Sequence, residues 1–161
     1  MAHNSFTNLA QPISGDDLNA LEKAIGASLP DSFKAHYLKY NGGVPENTYW
    51  LEPDTGVDFE VAEFKSISAS GDDNAPSILS TYNSMILKNV LPSRLLPFAN
   101  DWGGNFFCLD LGTAAVKFFA TDCFDPERSM EVNHKHAERH LCSDFEQFVK
   151  HLISEEDLED Q

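Results

Sequence analysis

Three things are scarce in this sequence. Cysteine occurs only at Cys108, Cys123 and Cys142 in 161 residues. An odd number of widely spaced thiols implies no disulfide framework and points to a reducing compartment, the cytoplasm. Long apolar runs are missing, and none reaches the roughly 18 residues a membrane span needs. The opening MAHNSFTNLAQPIS has neither the basic stretch nor the apolar stretch of a secretory signal. Positive charge is scarce too: 11 Lys and Arg stand against 26 Asp and Glu, a formal net charge of -15. A surface of that sign repels nucleic acid and anionic membranes, so neither is expected as a partner, whereas a basic protein suits it.

Apolar mass is plentiful. Hydrophobic residues make up 42% of the chain and Phe occurs 12 times, enough for one core. The length suits a single domain over residues 1–161. Its charge is concentrated. Residues 44–74 hold eight acids and one base, net -7, and residues 144–161 hold seven acids and one base, net -6. The second segment ends in an acidic tail, 154–161, that reads as frayed or disordered.

The apolar spacing predicts helices at both ends and strands between. Leu18, Leu21 and Ile25 make one stripe on a helix capped by Ser14 and Asp17 and closed by Gly26. Pro30 suits the first position of a second helix bearing Phe33, Tyr37 and Tyr40, which Asn41-Gly42-Gly43 ends. Strands are predicted at 48–51, at 57–64 with Val57, Phe59 and Val61 on one face, and at 95–99, 106–111, 115–120 and 130–134. Residues 66–75 read as a loop and 76–90 as a third helix. Ser143 and Glu146 read as the cap of a last helix carrying Phe145, Phe148, Val149 and Leu152. Strands grouped between terminal helices define an α+β class, with a mostly antiparallel sheet.

Leu21-Glu22, Ile25-Gly26, Leu29-Pro30, Phe33, Tyr37 and Asn41-Gly42-Gly43 together resemble the N-terminal signature of the SUKH superfamily. That family includes yeast cell-wall-synthesis regulators and bacterial immunity proteins. Leu96-Pro97-Phe98-Ala99, Asp101, Gly103-Gly104 and Phe107-Cys108-Leu109-Asp110 resemble its central strand pair, and residues 143–148 its closing helix. The resemblance spans residues 13–153 and implies a sheet flanked by helices with no catalytic centre and no cofactor. It implies a cytoplasmic protein that binds and neutralises a cognate polymorphic toxin, often a nuclease. The alternative within the same superfamily is an interaction scaffold, with the acidic tail as its arm. Glu22, Gly26, Leu29, Pro30, Asn41, Gly42, Gly43, Gly103 and Gly104 are motif positions that read as structural. Residues 66–92 lengthen the middle relative to short family members.

A toxin nuclease must bind phosphates and so carries a basic surface, which an acidic protein can be steered onto and occlude. Asp58, Glu60, Glu63, Asp72 and Asp73 are the candidate steering residues, with Trp50 and Trp102 as candidate anchors. His134, His136, His140 and Cys142 invite comparison with a zinc site, but their spacing fits no closed zinc pattern and no metal is expected. Cys108 alternates with apolar neighbours and reads as a buried small residue. Gly103-Gly104 lacks the Lys-Ser/Thr ending of a phosphate loop, and no nucleophile-elbow or zinc-protease motif occurs, so no enzyme is expected.

Overall fold

The computed structural model describes residues 4–68 and 77–160. In chain order the elements are β1 (Phe6–Thr7), α1 (Gly15–Ile25), α2 (Asp31–Lys39), β2 (Val44–Pro45), β3 (Tyr49–Leu51), β4 (Asp58–Glu60), β5 (Glu63–Phe64), α3 (Ile78–Leu87), β6 (Leu95–Asn100), β7 (Phe106–Asp110), β8 (Val116–Phe119), α4 (Met130–Ala137), β9 (Glu138–Cys142), α5 (Phe145–Lys150) and α6 (Glu155–Glu159). The class is α+β, as the sequence predicts. Strands β5 to β9 form one antiparallel meander in chain order. β1 pairs with β2, and β3 with β4.

The two faces of the meander differ. Leu96, Phe98, Phe107, Leu109 and Val116 point to one face and meet α2, α5 and the β3–β4 hairpin in the main core. Phe98 contacts Phe33, Phe64, Phe145 and Phe148 through ring edges. Leu95, Phe106, Cys108 and Phe119 point to the other face, where Leu91 and Ala137 close a smaller core. Cys108 is fully buried, and burial pushes its thiol up, so it packs as a small apolar residue.

Polar side chains fix the joints between helices and sheet. Ser14 N–H donates to the Asp17 carboxylate at 2.9 Å, and Gly26 ends α1 in the left-handed region at φ 69. Glu22 accepts from Leu29 N–H at 2.7 Å and pairs with Lys34 at 3.7 Å, which holds the α1–α2 corner. Pro30 lies one residue before the expected place. It is the N-cap of α2, with ψ 148, and not its first helical residue. Asn41 is buried; its amide donates to Gln11 O and Ile67 O and accepts from Ile67 N–H at 2.7 Å. Beside it, Gly43 has φ 97, and a Cβ there would lie 2.3 Å from Thr7 O, so the chain tolerates only glycine.

Four local expectations change. The single strand over 57–64 is two strands in two sheets. Val61 and Ala62 are both buried, which breaks the alternation. Val61 N–H turns to Thr48 O and Ala62 N–H to Asn100 O, and Val57 is exposed. Residues 130–134 are helical. Ser129 Oγ accepts from Val132 N–H, and Asn133 and Ala137 are buried one turn apart; the edge strand follows at Glu138. Asp144, not Ser143, caps α5 by accepting from Glu146 N–H. The acidic tail is not frayed: Ser154 caps α6 by accepting from Asp157 N–H at 3.1 Å. The start of the third helix at Pro76 and most of the loop before it lie outside the described residues, as do Asp72 and Asp73.

Candidate partner-binding surface

The β3–β4 hairpin pairs Tyr49 with Glu60, Trp50 with Phe59 and Leu51 with Asp58. Because side chains alternate along a strand, the Trp50–Phe59 pair faces one way and the other two pairs face the opposite way. The first pair enters the core. Trp50 is 6% exposed and stacks on Phe148 at 5.3 Å, while Phe59 meets Phe118 at 4.8 Å. Trp50 is therefore a core residue. It is not available as a partner anchor, which corrects the expectation from the sequence. The second set, Tyr49, Glu60, Leu51 and Asp58, turns outward.

The C-terminal segment lies against this outward face. Tyr49 and Ile153 exchange backbone hydrogen bonds: Tyr49 N–H to Ile153 O at 3.0 Å, and Ile153 N–H to Tyr49 O at 2.8 Å. The pairing brings α6 beside β3. The Tyr49 hydroxyl bonds to Glu60. That bond, desolvation and the negative charges of Glu60, Glu155 and Asp58 push it above the ordinary tyrosine range. Carboxylates from both acid-rich segments of the sequence thus converge on one hydroxyl. Asp58, Glu63, Glu155, Glu156 and Glu159 are exposed, and Glu60 is half-buried. Among the described residues, no Lys or Arg forms an ion pair with Asp58, Glu60 or Glu63. Glu52, on the inner side of the hairpin, differs. It accepts from Thr55 Oγ1 and pairs with Arg139, whose guanidinium lies over the Phe59 ring at 5.4 Å.

Glu63 opposes Asn100 in the β5–β6 register, next to the β6–β7 turn. That turn carries Trp102, 77% exposed. Gly103 and Gly104 complete it; Gly103 N–H and Asn105 N–H both donate to Asp101 Oδ1, at 2.9 and 2.8 Å.

Cations gather elsewhere. Asp110, 4% exposed, accepts from Gly112 N–H at 2.8 Å, from Thr113 N–H and from Arg94, and lies 3.5 Å from Lys117. Glu138 binds both cations, Arg94 in a two-pronged pair and Lys117 at 2.8 Å. For both acids burial raises the carboxyl, but it is outweighed. The Gly112 and Thr113 amides, Lys117 and Arg94 hold Asp110 below the usual range, and Arg94 and Lys117 do the same for Glu138. Arg94, Lys117 and Glu138, with Glu131, His134, Lys135 and His140, line an open groove of about 580 Å³. The zinc-like residues diverge. His134 Nε2 lies 3.0 Å from Asn89 O, His136 Nε2 lies 3.0 Å from Arg128, and the Cys142 thiol donates to Asp144 O. Among the described residues no three His, Cys, Asp or Glu are grouped to hold a metal ion, and no helix is long and apolar enough to cross a membrane.

A five-stranded meander, a two-helix N-terminal corner sealed by Glu22 and Asn41, and an aromatic closing helix define the chain's class. The model of the SMI1 / KNR4 family (SUKH-1) matches residues 12–151, and the chain belongs to that family. The chain is also similar to the SPbeta prophage-derived uncharacterized protein YokK of Bacillus subtilis (strain 168). The two are 24% identical over 153 residues, covering 88% of this chain and 76% of the relative.

Proposed function

We propose that this protein is a cytoplasmic immunity protein. It binds a cognate toxin that is basic and acts on nucleic acid, and it covers the toxin's active-site surface. The observation that carries this reading is the joining of two separate acidic segments into one face by the Tyr49–Ile153 pairing. A protein that leaves this much like charge unpaired gives up some stability, and it gains a field that steers a basic partner. Asp58, Glu60 and Glu63 supply that field from the fold, and α6 adds to it from the chain end. Family membership supports a binding role without chemistry. The packing of α6 beside β3 places its carboxylates at the same face, which supports this reading over a scaffold with a free acidic arm.

The test is a titration with the toxin domain encoded beside this gene, at low and high salt. Steering predicts an association rate that falls by roughly ten-fold or more between about 20 mM and 500 mM salt, with a smaller change in the dissociation rate. Asp58→Asn with Glu60→Gln lowers the association rate further, and cells expressing the toxin survive only when the wild-type protein is present. Tight binding without salt dependence would remove the steering argument. Failure of the neighbouring gene product to bind or to kill would remove the immunity reading.

A further inference from the structure

Among the described residues Trp102 is the most exposed aromatic side chain, at 77%, and it stands on a turn with little freedom to move. Both Asp101 carboxylate oxygens are engaged, Oδ1 by Gly103 N–H and Asn105 N–H, Oδ2 by Asn105 Nδ2 at 3.0 Å. Asn105 Oδ1 in turn accepts from Thr121 N–H at 2.9 Å, and Thr121 Oγ1 donates to Gly104 O. The β6–β7 turn and the segment after β8 are therefore one rigid tip. An indole held out on such a tip is not needed by the core beneath it, which Phe106 and Phe119 fill.

The charges around the tip are specific in sign. Glu63 lies across from Asn100, two residues from Trp102, and is exposed. Asp122 follows Thr121 and is exposed. Lys65, just after β5, is a cation facing this end, and its ammonium lies over the Phe106 ring at 5.7 Å. Among the described residues Asp122 accepts only from the Cys123 thiol, and Lys65 is the cation whose charge acts on Glu63. The negative face of an indole and two exposed carboxylates favour the same ligand, a guanidinium or ammonium group. We propose that Trp102, with Glu63 and Asp122, is the anchor that receives an arginine or lysine side chain of a basic protein partner. This rests on the reading above and adds to it: hairpin and α6 carboxylates set the approach, and the Trp102 tip sets the lifetime.

Two measurements decide it, and the first needs no toxin. The sequence has two tryptophans. The difference in emission between wild type and Trp102→Phe isolates Trp102 without touching the core residue Trp50. Quenching of that signal by caesium is expected to exceed quenching by iodide several-fold at low ionic strength, and to fall to parity in Glu63→Gln/Asp122→Asn. Preferential quenching by iodide would overturn the cation-receiving role whether or not any toxin is found. The second measurement uses the neighbouring toxin domain. Trp102→Ala is expected to weaken binding by about 30-fold or more, the threshold of an interface hot spot, through faster dissociation at an unchanged association rate. Tight binding of that toxin with a Trp102→Ala change under three-fold would leave the immunity reading standing and the anchor overturned. No binding by the wild type would sink the immunity reading, and the caesium and iodide comparison alone would then decide the anchor.

Discussion

The Asp110–Glu138 network and the β3–β4 hairpin with α6 hold similar carboxylates in opposite circumstances. In the network two acids meet two bases, and backbone amides satisfy what remains of Asp110. On the hairpin the charges of Glu60, Glu155 and Asp58 all act on one tyrosine hydroxyl, that of Tyr49. Charge balanced within the molecule is part of its architecture. Charge left unbalanced at the surface costs the fold some stability, and on the proposed reading that cost serves binding to a basic partner.

The contrast breaks most plainly by mutation. Asp110→Ala takes one of two acids from Lys117 and Arg94, which keep Glu138, and frees the Gly112 turn, and it should lower stability by about 3 kcal/mol in chemical denaturation. A loss under about 1 kcal/mol would mean the network is no more structural than the hairpin. Acid comes next. Burial, and the nearby Lys39 charge, lower the His36 pKa from 6.5 to about 4, inside a cage of Phe6, Tyr37, Tyr40, Phe64 and Phe145. The unfolded chain binds this proton first, so stability is intact above pH 6.5 and falls by roughly 3 kcal/mol as pH drops to about 4. His36→Phe should flatten that window in pH-dependent melting. Asp110 and Glu138, also lowered, lose their contribution at still more acidic pH.

Smaller effects sharpen the hairpin side. Asp58→Asn/Glu60→Gln should change stability by less than about 0.5 kcal/mol, and in the stabilising direction at low salt, because each removes repulsion and neither breaks an ion pair. Destabilisation of about 1 kcal/mol or more would show that these acids are structural after all. Smallest is the alkaline response of Tyr49. Its folded pKa is raised, so the native state holds the proton longer and stability declines as pH rises through the tyrosine range. Tyr49→Phe should remove that decline from the alkaline limb and leave the acid limb as it was.

The local parts of this architecture were legible in the sequence. The α1 stripe, the Ser14–Asp17 cap, Gly26 as the helix end, and the 95–119 strands all depend on neighbours a few residues away. Glu22 was readable as a structural motif position, and it is one: it accepts from Leu29 N–H and pairs with Lys34. What the spacing missed depends on distance. The split of 57–64 follows from Thr48 and Asn100 capturing Val61 and Ala62, and no periodicity encodes that. Residues 130–134 read as a strand, but they open the helix Met130–Ala137, in which Asn133 is buried and bonded back to Asp125 N–H and O. Of the candidate anchors, Trp50 and Trp102 carry the same side chain, and only the register told them apart. The grouping of the acids also needed the Tyr49–Ile153 pairing, whose partners lie in different acid-rich segments.

That pairing also has a kinetic meaning. The meander from β6 to β8 closes through short turns, so its strands can zip in sequence. Joining Tyr49 to Ile153 closes a loop of roughly a hundred residues, and that entropy is recovered only after the sheet and α5 are in place. The acidic face is accordingly expected to assemble late and to open early. Amide hydrogens at Tyr49 and Ile153 should exchange with solvent well ahead of those at Phe107 and Leu109. A protein caught partway through folding would possess its meander and its Trp102 tip while still lacking the joined acidic face that the proposed function requires.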